Sequence, residues 1–217
     1  KKENKQIFIL WAGRFLKWKH PELAVGVAEK LKKNGYVFKL MLIGDGEMKE
    51  ELVKEVQQKE LQDVVLFKGF MSPDAVRKYM EKADIFLFTS DFNEGWGAVL
   101  NESMNSGCAV VVSHAIGSVP FLVKHGVNGM IFKSGDENNL SNLVMQLCDD
   151  EELRINLGRQ AYKTLSEEWN AKNATINFLK LSNAITKNKT VEISSGPCST
   201  AEIISQRKMY DFLRKEH

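Results

Sequence analysis

The run Ile85–Gly117, IFLFTSDFNEGWGAVLNESMNSGCAVVVSHAIG, decides the fold. It opens on four apolar residues, Ile85–Phe88, and closes on a second apolar run, Ala109–Val112. Neither run alternates with polar residues, as expected of strands buried on both faces. Between them lie a glycine-flanked loop, Glu94-Gly95-Trp96-Gly97, and a helical pattern over Ala98–Asn105. Strand, helix and strand in that order predict parallel strands joined by a right-handed crossover.

The same alternation extends in both directions. Further apolar runs occupy Ile7–Ala12, Phe38–Ile43, Val64–Phe67 and Met130–Phe132. Helical patterns lie between them at Pro21–Lys33, Met48–Lys59 and Asp74–Lys82. Pro21 suits a first helical turn and Gly35 a helix end, and Ser72-Pro73-Asp74 reads as a helix start. Three more helical stretches follow at Asn138–Cys148, Glu151–Glu168 and Ala171–Ile185. The expected fold is an α/β, Rossmann-like, doubly wound parallel sheet of about six strands with helices on both faces. Residues 1–186 form this domain. Residues 187–217 read as a polar linker, with Gly196 and Pro197, and a C-terminal helical tail. Ser199 and Glu202 have capping-box spacing. Behind them, Ile203, Ile204, Met209, Phe212 and Leu213 form an apolar face expected to seek a partner surface, or to settle on the same domain.

Composition narrows the function classes. The chain has 217 residues, 43% hydrophobic and 27% charged, which excludes a disordered chain and a scaffold needing disulfides or metals to fold. Lys plus Arg is 30 against 28 Asp plus Glu, a net charge of +2, so no broad basic nucleic-acid surface is expected. Any bound anion must be held by a few placed cations. No apolar run reaches the ~18 residues of a membrane span, and no signal peptide is evident. The chain starts at Lys1 rather than Met, which suggests a piece of a longer one. Cys108, Cys148 and Cys198 have neither metal-ligand nor disulfide spacing and read as reduced thiols.

In an open parallel sheet, ligands bind beyond the carboxyl ends of the strands. The residues just after the apolar runs there include Gly13, Arg14, Lys17 and Lys19, then Gly44-Asp45-Gly46, then Lys68-Gly69. After Ile85–Phe88 come Thr89, Ser90, Asp91 and the Glu94–Gly97 loop, and after Ala109–Val112 come Ser113, His114 and Gly117. Gly95 and Gly97 let a ligand approach the backbone closely, and the amides at the following helix start can receive an anion. Glu102, about one turn into the helix, points back toward them. Carboxylates accept hydrogen bonds from vicinal hydroxyls. Amides for phosphate and two glutamates for hydroxyls suit a nucleotide sugar. Arg14 and Lys19 supply cations for a diphosphate leaving group, without a metal. Lys17 competes with Lys19 for that role. Trp96 reads equally as core packing or as a sugar-stacking ring. His114 and His125 read as loop or surface histidines rather than bases.

These residues resemble the group 1 (family four) retaining glycosyltransferases. The resemblance rests on Gly13-Arg14 with Lys19, on Glu94-Gly95-Trp96-Gly97 with Glu102, and on Gly107 before Ala109-Val110-Val111. Ser113–Pro120 and Gly126–Gly129 fit the same pattern. It covers about residues 7–180 and implies the C-terminal, donor-binding half of the two-domain GT-B fold. It also implies the roles. Arg14 and Lys19 bind the donor diphosphate, Glu94 the donor sugar and Glu102 the nucleotide ribose, with Gly13, Lys68, Gly69, Gly95, Trp96 and Gly97 around the donor. No cofactor or metal is implied. The partners implied are a nucleotide sugar and a missing N-terminal acceptor domain, in a cytoplasmic enzyme of cell-envelope polysaccharide synthesis that docks peripherally on the membrane. Two departures stand out: His20 replaces a glycine, and Phe121 replaces a glutamate. A nucleotide-sugar epimerase of the same architecture and a noncatalytic nucleotide-binding module are the alternatives. A glycosidase is disfavoured, because eight helical residues rise about 12 Å against a carboxyl spacing of about 5 to 9.5 Å. A dehydrogenase would place Gly-x-Gly-x-x-Gly after the first strand, where Gly13-Arg14-Phe15 stands.

Overall fold

A computed structural model of the chain describes residues 6–201 and 205–214. Six strands form one parallel sheet: β1 (Ile7–Ala12), β2 (Phe38–Ile43), β3 (Val65–Gly69), β4 (Ile85–Phe88), β5 (Ala109–Ser113) and β6 (Met130–Phe132). Their order is β3-β2-β1-β4-β5-β6. The chain runs outward from β1 to β3, then returns to the other side of β1 with β4. That reversal opens a crevice between β1 and β4 at their carboxyl ends, which is where such sheets bind ligands.

Helices α1 (Pro21–Lys33), α2 (Lys49–Gln58) and α6 (Glu137–Asp149) cover one face. The other carries α3 (Pro73–Met80), α4 (Val99–Asn105), α5 (Val119–Leu122) and the C-terminal end of α7 (Glu151–Lys163), which runs into a π-helical turn, Thr164–Glu168. Strand residues alternate between two cores. Ile7, Ile9, Trp11, Leu40, Leu42, Ile85 and Leu87 face the first, and Leu10, Met41, Ile43, Phe86, Phe88, Val110 and Val112 the second. Both sets are apolar, so the sequence shows unbroken hydrophobic runs although the side chains follow a period of two. Ser72 caps α3 through Oγ, which accepts from Ala75 N at 3.4 Å, and Asp136 and Asp150 cap α6 and α7 in the same way. Cys108, Cys148 and Cys198 are all free. Among the described residues no helix is long and apolar enough to cross a membrane.

The tail departs from the sequence expectation. Ser199–Ala201 is not helical, so the capping box does not act there, and Glu202, Ile203 and Ile204 lie outside the described residues. Helix α8 (Ala171–Thr186) precedes the tail, and the last helix, α9 (Gln206–Leu213), starts after Ser205 instead. Its apolar residues do not await a partner: Leu213 is buried in the second core, and Met209 and Phe212 pack against it. Arg214 Nη1 donates to the Ile131 carbonyl on edge strand β6 at 3.0 Å. Local sequence shows an apolar face but not which surface it meets.

His114 and His125 lie in loops, as expected, but are not surface groups. His114 is buried, and its Nδ1 accepts from Ser134 N at 2.9 Å. Nδ1 of the partly buried His125 accepts from Ile131 N at 2.9 Å. Both rings must be neutral to accept these bonds. Burial lowers both pKa values, that of His125 to about 4 with help from the Arg214 charge. The unfolded chain binds a proton at His125 near the ordinary 6.5, whereas the folded chain resists until about 4. Stability should therefore be full above pH 6.5 and fall on acidification toward pH 4, by at most about 3 kcal/mol from this residue. His114 acts in the same direction. Urea midpoints across this range check the slope, which His125→Asn should flatten.

Candidate functional site

The loops after β1 and β4 are tied together at the crevice. After β1, the chain passes Gly13 and Arg14 and makes a short 3₁₀ turn, Lys17–Lys19. After β4, Asp91 Oδ1 accepts from Asn93 N at 2.8 Å and Asp91 O accepts from Glu94 N at 3.0 Å, a side-chain-stabilised turn that aims Glu94 back into the crevice. Lys19 Nζ meets Glu94 Oε2 at 2.5 Å, with the two side chains only 13% and 12% exposed. Ser90 Oγ donates to the same carboxylate oxygen at 2.9 Å. The Lys19 ammonium also lies 4.4 Å from the centre of the Trp18 ring, a cation–π contact. Beneath the pair, Trp11 Nε1 donates to Thr89 Oγ1 at 2.8 Å, and Thr89 Oγ1 donates to the Lys19 carbonyl at 2.6 Å.

His20 adds a further tie. It adopts a left-handed backbone, φ +49°, as expected of a position where the family pattern has glycine. Its Nδ1 lies 2.7 Å from Glu22 Oε1 and its Nε2 3.5 Å from Asp91 Oδ2. The ring thus joins the start of α1 to the β4 loop, which offsets the backbone penalty of about 1 kcal/mol.

Two glycines permit close loop contacts. A Cβ on Gly44, at φ +141°, would stand 1.8 Å from the Gly13 carbonyl oxygen, so the β2 loop supports the base of Arg14 only with glycine there. A Cβ on Gly117 would stand 2.1 Å from the Gly95 carbonyl oxygen. The Gly-x-Gly after β2 therefore serves loop packing.

The predicted residues do not all come together. Gly13, Arg14, Lys19, Glu94 and Gly95 line the crevice. Arg14 is exposed, with no ion pair among the described residues, and Lys17 is exposed on the 3₁₀ turn and does not join the Glu94 pair. Glu102 is exposed in the first turn of α4, after Gly97. Trp96 is 42% exposed, donates from Nε1 to Asn101 Oδ1 at 2.8 Å, and stacks on Phe121 and Trp169. Lys68 and Gly69 end β3, with β2 between them and β1; Gly69 O accepts from Gly44 N at 2.9 Å. Sequence reasoning missed the Trp11–Thr89–Lys19 chain and the His20–Asp91 tie, because their partners lie 70 to 78 positions apart, and it missed Trp18, the neighbour of Lys19. Among the described residues, no group of three or more His, Cys, Asp or Glu side chains could hold a metal ion.

Comparison with known proteins gives the following. The family model described as glycosyl transferases group 1 matches residues 1–164. The N-acetylgalactosamine-N,N'-diacetylbacillosaminyl-diphospho-undecaprenol 4-alpha-N-acetylgalactosaminyltransferase of Campylobacter jejuni is 32% identical over 159 residues, 73% of this chain and 40% of that protein. Two solved structures share the fold. The C-terminal domain of the group 1 family protein LpcC from Francisella tularensis aligns with a TM-score of 0.68 and 24% identity, over 74% of this chain and 84% of that one. Anabaena HepE in complex with UDP aligns with a TM-score of 0.72 and 23% identity, over 84% of this chain and 49% of that one. The chain thus spans less than half the length of the curated relative it matches.

Thr89→Val tests the scaffold of the crevice. It keeps the shape but strands the Trp11 indole N–H and the Lys19 carbonyl. It should cost roughly 1 to 3 kcal/mol in urea unfolding, whereas Lys17→Ala should change stability by less than about 0.5 kcal/mol.

Proposed function

The chain belongs to the group 1 glycosyltransferases, and from that premise we propose that it is the donor-binding half of a retaining enzyme. In this reading residues 1–186 hold a nucleotide diphosphate sugar, and 187–217 are the tail of the same lobe. The sugar passes, with retention of anomeric configuration, to a glycan or lipid-linked acceptor held by an N-terminal domain. The reaction serves cell-envelope polysaccharide synthesis, at the cytoplasmic face of the membrane.

The observation that carries this reading is the Lys19–Glu94 pair at the β1/β4 crevice. A cation beside a carboxylate matches a donor in which a diphosphate adjoins a hydroxyl-bearing sugar. Arg14 and Lys19 meet the charge that grows on the diphosphate as its bond to the anomeric carbon breaks. Glu94, held by Ser90 and Lys19, accepts from a sugar hydroxyl and fixes the ring. Gly95 carries no side chain into the open space beside it, so the sugar can reach the backbone. Glu102 receives the ribose hydroxyls. UDP in the Anabaena HepE structure supports a nucleotide in this fold. The likeness to an isolated C-terminal domain from Francisella tularensis supports the assignment to that half.

UDP or GDP should bind this chain in calorimetry with EDTA present as well as with magnesium, because placed cations supply the charge. Strict magnesium dependence would contradict that role for Arg14 and Lys19. Glu102→Ala should weaken free nucleotide binding by roughly 1 to 3 kcal/mol. Glu94→Ala should instead weaken the matching nucleotide sugar and leave the free nucleotide nearly unchanged. Equal losses for both variants with the free nucleotide would refute separate roles.

A further inference from the structure

Beside the crevice, three aromatic rings from three elements form one cluster. Trp96 of the β4 loop, Phe121 of α5 and Trp169 after the π-helical turn have ring centres 5.7 to 6.1 Å apart. Trp96 and Phe121 remain 42% and 36% exposed, so the cluster is not a finished core. Two contacts restrain the loops that carry them. The Trp96 indole is tethered to Asn101 Oδ1, and Gly117, four residues before Phe121, is pressed against the Gly95 backbone. Half-exposed aromatic rings, one of them two residues from Glu94, offer a surface to a ligand.

The adjoining cavity identifies the chemistry. It has a volume of about 460 Å³ and lies between α5, the π-helical turn and the segment Ser194–Ala201. Phe121 and Trp169 line it together with Lys124, Gln160 and Glu168. A pyranose ring presents C–H bonds on its faces and hydroxyls around its rim. Aromatic faces take the former; amide, ammonium and carboxylate groups take the latter. Pro120, Leu122, Met209 and Phe212 add apolar wall, and Lys124, Gln160 and Glu168 supply polar groups that a lipid chain would not need. Trp96 follows Glu94 by two residues, and Gly117, just before α5, touches the Gly95 backbone, so the cluster adjoins the loop that carries Glu94.

We propose that Trp96, Phe121 and Trp169 form a stacking shelf for a sugar ring of the acceptor glycan, with Phe121 as a specificity-determining residue. This rests on the donor-site reading above. The acceptor, held by the other half of the enzyme, rests one ring on this shelf, and the rim groups select its hydroxyl pattern.

Saturation-transfer NMR on the 217-residue chain tests the shelf. The probes are methyl glycosides and disaccharides of glucose, galactose and their N-acetylamino forms, measured with UDP or GDP at saturation. Transfer should reach the ring C–H protons of at least one probe. Phe121→Ala should lower that affinity about tenfold, and Phe121→Tyr should retain it. Calorimetry of the nucleotide alone should be the same for all three proteins, so a failed donor site is told apart from a failed shelf. No transfer to any sugar in a chain that binds nucleotide would overturn the proposal, as would equal transfer in Phe121→Ala. Transfer confined to an octyl chain, in octyl glucoside, would overturn it in favour of a lipid groove.

Discussion

The Lys19–Glu94 pair bridges the two loops that a doubly wound sheet brings together at its reversal point. Each loop alone is a surface connection; the pair turns them into one wall of a crevice. At 13% and 12% exposure the two charges are far from the surface regime in which ion pairs contribute little. Removing one partner would leave the other poorly solvated, which in buried sites costs several kcal/mol. Ser90 and Trp18 take up the remaining capacity of the pair, and the Trp11–Thr89–Lys19 chain fixes the backbone beneath it. The result is preorganisation. A ligand entering the crevice would meet a cation and a carboxylate already in place, so little ordering is left to binding.

The sheet makes that placement rigid. Because every central strand is buried on both faces, β1 and β4 cannot shift against each other without disturbing two cores at once. Glycines do the fine adjustment where backbones cross. Gly44 admits the Gly13 carbonyl and Gly117 admits the Gly95 carbonyl, and both contacts bring loop backbone to within what a Cβ would occupy. His20 shows the opposite solution. It accepts an unfavourable backbone angle in exchange for joining Glu22 and Asp91 across the crevice.

The sheet was almost wholly legible from sequence, and the wiring of the site was not. Apolar runs located β1, β2, β4 and β6 to the residue because burial on both faces leaves at most one polar residue, Lys39 in β2, inside these strands. Pro21 and Ser72 marked helix starts through backbone chemistry that acts locally. Arg14, Lys19, Glu94 and Glu102 stood out because strand ends can be read and the topology then fixes their edge. The choice between Lys17 and Lys19 stayed open in the sequence, since a 3₁₀ turn decides which side chain turns inward. The tail misled for a related reason. Ser199 and Glu202 have the spacing of a cap, but spacing does not show where the chain leaves its irregular path, and α9 begins only after Ser205.

We propose the β1/β4 crevice as the nucleotide-sugar site. Backbone amide shift mapping of the isotope-labelled chain, titrated with whichever of UDP-glucose and GDP-mannose binds more tightly, tests it most directly. The account predicts that the largest shifts cluster in Gly13–His20 and in Ser90–Glu102, at the carboxyl edge of the sheet. Shifts concentrated instead at the amino edge, around Tyr36 and the α6–α7 junction, would contradict it.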